Sequence, residues 1–170
     1  MSHVKKLTLY SNLLAVAIVL NVLESWINVI PVPGAKIGLA NIVTLVVLIL
    51  YNPKDSILLV IMRVVIVSLL TGKLLSPVFY MSLSGGIFAS LAMAIIYKLQ
   101  FFGIPGVSII GSLFHTLGQI IAGIFVIGSV AVIGYLPIML AISIPAGVVT
   151  GIITVKFLDV LKNFTQVRAS

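Results

Sequence analysis

Cysteine is absent from the 170 residues, and acidic side chains number only three. The first absence excludes disulfides, thiolate metal sites and a cysteine nucleophile. The second leaves Glu24, Asp55 and Asp159, too few and too scattered to form a carboxylate cluster that would hold Mg²⁺. No Gly-x-x-x-x-Gly-Lys loop occurs, so the chain is not expected to hydrolyse ATP itself. Histidine is represented by His3 and His115 alone, and neither has two further chelators nearby in the sequence, so no metal site is expected. His3 reads as a solvated residue of a terminal tail. Alternation of apolar and polar residues is missing as well, which argues against a transmembrane barrel. Charged residues make up 8% of the chain. A soluble domain carries about 25%.

What the sequence does have is hydrocarbon: 61% of residues are hydrophobic and the mean hydropathy is +1.35. Such a chain partitions into a bilayer. A crossing needs about 20 apolar residues, so this length holds six or seven helices and leaves no room for a soluble domain beside them. Breaks rich in Pro, Gly and Lys fall at Pro31–Lys36, Asn52–Asp55, Gly72–Pro77, Lys98–Pro105 and near Gly134–Pro137. They predict an all-α membrane protein, a six-transmembrane-helix bundle with spans at about 8–30, 37–51, 56–71, 77–97, 107–132 and 136–158. Residues 1–170 are read as a single integral membrane domain, with the first apolar run a retained helix. The second and third spans are short for a crossing and are expected to line the interior.

The net charge of +7 would point to nucleic acid in a soluble protein, but here the cations flank apolar runs, so the expected partner is the lipid bilayer and not nucleic acid. With six crossings, Lys5, Lys6, Lys54, Lys98, Lys156, Lys162 and Arg168 share one side, and Lys36 and Lys73 the other. The positive-inside rule then places both termini in the cytoplasm of a cell-membrane protein.

Polar residues inside apolar spans are costly: a charge at a helix centre costs about 2.5–3.5 kcal/mol on insertion scales. Glu24, Arg63, His115 and Gln119 occupy such positions. Glu24 and Arg63 read either as a structural ion pair or as contacts to a polar ligand. His115 and Gln119, four residues apart, share one helix face and form two prongs of a site. Lys36 and Asn41, followed by Thr44, run as a polar stripe into the start of the second helix, whose free amides attract anions. Pro33 and Gly34 lie in the turn above and are read as a gating loop. Together Glu24, Lys36, Asn41, Arg63, His115 and Gln119 are the expected substrate-binding residues. The excess of cations suggests an anionic or zwitterionic molecule. No residue is read as catalytic, no cofactor is implied, and the chain is not expected to be an enzyme. Small residues four apart let membrane helices approach closely, and the Ser11–Ala15 pair on the first helix could serve packing or a partner interface.

The run Pro33-Gly34-Ala35-Lys36-Ile37-Gly38-Leu39-Ala40-Asn41-Ile42-Val43-Thr44-Leu45, preceded by Leu23-Glu24 and followed by Leu75-Ser76-Pro77, resembles the Gx transporter family, also labelled heptaprenyl diphosphate synthase component I. The resemblance extends to Arg63, Ser84-Gly85-Gly86 and His115-Thr116-Leu117-Gly118-Gln119, over roughly residues 12–155. That family is similar in size and layout to the S components of energy-coupling factor (ECF) transporters. The likeness implies a substrate-binding component of a vitamin- or cofactor-precursor-like uptake system, with an ECF coupling protein and two ATPases as partners. S components commonly carry Ala-x-x-x-Ala on the first helix; Ser11 and Ala15 are the nearest equivalent here. The synthase label implies the other reading, a noncatalytic membrane accessory subunit of a prenyl diphosphate synthase or a quinone or electron-transfer system.

Overall fold

The computed structural model describes residues 3–26 and 38–167, and it contains six α-helices and one short 3-10 helix. They are α1 (His3–Trp26), α2 (Asn41–Leu50), α3 (Pro53–Leu70), α4 (Pro77–Leu99), α5 (Ile104–Ile127) and α6 (Leu136–Val167), with the 3-10 turn at Val130–Tyr135. No strand occurs among the described residues. The chain is an all-α membrane protein.

Local chemistry sets most of the boundaries. Asn52 caps α3 by accepting the Asp55 amide at 2.9 Å, and Pro53 follows in the first helical turn, where its missing N–H costs nothing. Ser76 and Pro77 repeat the device for α4. Gln100 and Gly128 end α4 and α5 in the left-handed conformation.

Among the described residues, four segments are long and apolar enough to cross a membrane: Val4–Ser25, Pro77–Leu99, Ile104–Ile127 and Val130–Lys162. The second and third of the six expected spans, read from the sequence as short for a crossing, are not among these four. Helix α3 has 18 residues, about 27 Å of rise, but carries Lys54, Asp55 and Arg63. Helix α2 has 10 residues, about 15 Å, well short of a hydrocarbon core. It is an interior element: every residue from Asn41 to Leu48 is buried. Even so, α2 and its flanks carry the chain from one end of the bundle to the other. Gly38, ahead of α2, donates its amide to Glu24 near the end of α1. Tyr51, just after α2, packs edge-on against Tyr10 with centroids 6.1 Å apart, and its hydroxyl reaches the Lys6 carbonyl at 3.4 Å.

The remaining helices alternate in direction. The hydroxyls of Ser56 and Ser90 meet at 2.6 Å between α3 and α4, and a Cβ on Gly86 would stand 2.5 Å from Val60 Cγ1 further along the same pair. Between α4 and α5, Gly111 abuts Met93 while Gly118 abuts Ser84 and Gly85. Between α5 and α6, Ser108 meets Thr150 at 2.8 Å and Thr116 meets Ser143 at 2.5 Å. This zigzag puts Lys5, Lys6, Lys54, Lys98, Lys156 and Lys162 at one end, and Lys73 at the other. The basic end is tied together by a salt bridge from Lys6 Nζ to Asp55 Oδ2 at 3.1 Å, with Tyr10 donating to the Asp55 carbonyl at 2.9 Å. Ser11 and Ala15 are exposed on α1, on the face opposite buried Leu13, Leu14 and Ala17.

A candidate polar binding site inside the bundle

Six apolar helices could in principle pack with hydrocarbon alone, yet a group of polar side chains is buried in the half of the bundle away from the basic end. Glu24 is 5% exposed, Asn41 5%, Arg63 3%, His115 6% and Gln119 1%.

Glycine determines how these residues approach one another. Gly85 and Gly86 sit side by side on α4 and face two different neighbours. A Cβ on Gly85 would lie 2.8 Å from both Gln119 Cγ and the His115 carbonyl oxygen, and 3.1 Å from His115 Cε1. A Cβ on Gly86 would lie 3.6 Å from Arg63 Nη2. The Gly85-Gly86 dipeptide thus lets the α3 guanidinium and the α5 His115–Gln119 face close on opposite flanks of one helix. Ser84 anchors the same turn by donating to the Gly118 carbonyl at 2.9 Å.

The second half of the cluster forms where α1 meets the start of α2. The Glu24 carboxylate accepts the Gly38 amide, and Gly38 adopts φ +89°, a conformation that glycine tolerates without a Cβ penalty. Asn41 folds back over that turn: its Nδ2 is 3.0 Å from the point a Gly38 Cβ would occupy. The N-cap position of α2 is Ala40, which supplies no side-chain hydrogen bond to the helix amides. Glu24 also exerts a favourable Coulombic interaction on Arg63, linking the two halves. At the other end of the bundle, Lys6 and Asp55 form a salt bridge.

Two members of the cluster are incompletely satisfied. Both carboxamide atoms of Asn41 and the Nε of Arg63 are buried with no hydrogen-bond partner. Leaving a buried donor or acceptor unpaired costs about 1–3 kcal/mol, more when the group is charged. A fold that keeps three such atoms buried pays for them elsewhere or meets them with something absent from the polypeptide.

Of the residues expected from the sequence, Glu24, Asn41, Arg63, His115 and Gln119 are therefore brought into one linked cluster. Lys36, Pro33 and Gly34 lie outside the described residues. Sequence reasoning missed the Gly38 amide as the carboxylate's partner and gave Gly85 and Gly86 no part in the site beyond the family resemblance. It also passed over Asn21, 3% exposed and three residues before Glu24, whose i, i+3 spacing was the available signal. Among the described residues no three His, Asp or Glu side chains gather to hold a metal. An open groove between α4 and α5, walled by Phe88, Leu91, Ile95 and Phe114, is apolar throughout and suits hydrocarbon, not a polar solute.

The sequence model of a protein family described as heptaprenyl diphosphate synthase component I matches residues 13–157. No curated protein and no solved structure matches the chain.

Proposed function

This chain belongs to the heptaprenyl diphosphate synthase component I family, and within it we propose that the chain is the substrate-binding transmembrane component of a small-molecule uptake system. The reading rests chiefly on the buried Asn41 and Arg63 atoms that lack partners, because a bundle with no ligand gains nothing by burying them. Glu24, Asn41, Arg63, His115 and Gln119 line the site in this reading, with Lys36 and the Pro33–Gly34 turn at its mouth. Ligand enters from the outside, opposite the basic end, and both termini are cytoplasmic. The chain performs no chemistry on the ligand. Energy comes from a partner, an ECF coupling protein with two ATPases, or from an ion gradient. Mass spectrometry of small molecules released from the purified, denatured protein tests this directly. A polar metabolite retained by the wild type and lost from Gln119→Leu is the expected result; equal retention by both would remove the site from this cluster.

The family's description favours a second reading, a noncatalytic membrane subunit that recruits a prenyl diphosphate synthase. Purification of the tagged chain from native membranes separates the two. A coupling protein with ATPases supports uptake, whereas a prenyl synthase without ATPases supports the accessory role.

A further inference from the structure

Helices α4 and α5 touch through small residues and part again on the side that faces lipid. Gly111 lies against Met93, and Gly118 against Ser84 and Gly85, so the two backbones run close together. Outside that seam the exposed side chains of Phe88, Leu91 and Ile95 on α4 face Ile110 and Phe114 on α5, with buried Ala92 between them. The groove they enclose measures about 220 Å³ and is apolar throughout. An apolar cavity of about 150 Å³ takes up benzene, so this one has room for several carbons of a hydrocarbon chain.

The depth of the groove in a bilayer follows from the helix directions. Phe88 and Phe114 are the lining residues farthest from the basic end, and Ile95 and Ile96 lie nearest to it on α4. From Phe88 to Lys98 the helix rises about 15 Å, half of a hydrocarbon core of about 30 Å. The groove and its approach therefore match one leaflet, the one on the basic side. Tyr97, 39% exposed, is a residue type that settles at headgroup level, and Lys98 beside it is exposed as well. Lys98 follows Ile95 by three positions, so this wall of the groove ends on an ammonium group. Six described lysines share that end with two carboxylates, Asp55 and Asp159. An excess of cations at headgroup level attracts anionic lipid.

We propose that the α4–α5 groove is a binding site for an anionic phospholipid of the basic-side leaflet, one acyl chain lying between Phe88 and Ile95 and the phosphate meeting Lys98. A lipid with the same chains and no net charge fills the groove equally well and gains less at its mouth. That difference separates a specific site from the hydrocarbon that bathes every membrane helix.

The test uses the full chain in mild detergent, with dioleoyl phosphatidylglycerol and dioleoyl phosphatidylcholine as probes and native mass spectrometry as the readout. Phosphatidylglycerol should half-saturate a one-lipid adduct at a lower concentration than phosphatidylcholine. Lys98→Glu should raise the phosphatidylglycerol concentration needed by about tenfold or more, and Ile95→Trp, which crowds the groove from its exposed wall, should weaken both lipids. Lys98 lies at an exposed helix end, so its variant keeps the proposal falsifiable even if Ile95→Trp does not fold. Equal affinity for the two lipids, or no adduct with either, would overturn the proposal. So would a preference for phosphatidylglycerol that survives Lys98→Glu, and a folded Ile95→Trp that binds as the wild type does would place the acyl chain outside the groove. Geranylgeranyl phosphate is the last probe: displacement of phosphatidylglycerol at a far lower concentration would assign the groove to a prenyl chain instead of a phospholipid.

Discussion

Gly85 shows how a residue with no side chain can govern several that have one. Its Cα is pressed against the backbone of α5, so an added methyl would meet the His115 carbonyl oxygen at 2.8 Å, and a backbone atom cannot rotate away. At Gly86 the obstacle is Val60 Cγ1 at 2.5 Å, a β-branched side chain with little rotamer freedom. Overpacking of this kind costs about 1–3 kcal/mol. Gly85→Ala and Gly86→Ala are each expected to lower the heat-denaturation midpoint in detergent, Gly85→Ala by more. An unchanged midpoint for Gly85→Ala would mean that α4 and α5 are not in the close contact described. At the opposite end of α3, Asn52→Ala removes an N-cap and is expected to cost about 1 kcal/mol. Asp55→Asn should cost less: its salt-bridge partner Lys6 is 44% exposed, and pairs of this kind contribute little. Chemical denaturation of the two variants, compared in the same detergent, checks that order.

At the scale of elements, α5 and α6 are joined by hydroxyl pairs and glycines along their length. Ser108 with Thr150 and Thr116 with Ser143 alternate with Gly147 against Ile109 and Gly151 against Pro105. Lipid offers no hydrophobic drive for one helix to leave it for another, so close packing and interhelical hydrogen bonds hold the pair. A double-mutant cycle on Ser108→Ala and Thr150→Val should give a coupling of about 0.6 kcal/mol, the average for such bonds inside membranes. Gly151→Val should be far more damaging, because a Cβ there already lies 2.6 Å from the Pro105 Cα. A cycle energy indistinguishable from zero, together with a harmless Gly151→Val, would show that α5 and α6 do not pack in this register.

For the whole molecule, the consequence of the zigzag is polarity. Six described lysines gather at the end that holds the Lys6–Asp55 bridge, and the polar cluster lies toward the end that holds Lys73. If the positive-inside rule orients this bundle, the cluster faces outward. The chain contains no cysteine, so single cysteines report position without background. Lys73→Cys should react with a membrane-impermeant thiol reagent in intact cells, and Lys98→Cys only after the cells are opened. The reverse pattern would invert the protein and turn the site toward the cytoplasm. Reaction at both positions in intact cells would mean that Lys73 and Lys98 do not lie on opposite faces of the membrane.

Composition and punctuation alone determined that this is a helical membrane protein, and they located the breaks, because Asn-Pro, Ser-Pro and Gly act on the backbone locally and need no tertiary partner. They also singled out Glu24, Arg63, His115 and Gln119, since the cost of a polar group in hydrocarbon is a property of the residue and its surroundings in the run. What they could not decide is which of these groups meet. Hydropathy measures burial from water and is blind to whether lipid or protein does the burying. Residues 37–51 therefore read as a short span expected to line the interior, and the helix described there is Asn41–Leu50, buried from Asn41 to Leu48. Equally, the pairing of Gly38 with Glu24, and the approach of Arg63 to Gly86 and of His115 to Gly85 on opposite flanks of α4, depend on how the helices cross. Residues 14 or more positions apart acquire that relation only through the packed bundle, and with it the unmet hydrogen bonds on which the proposed site rests.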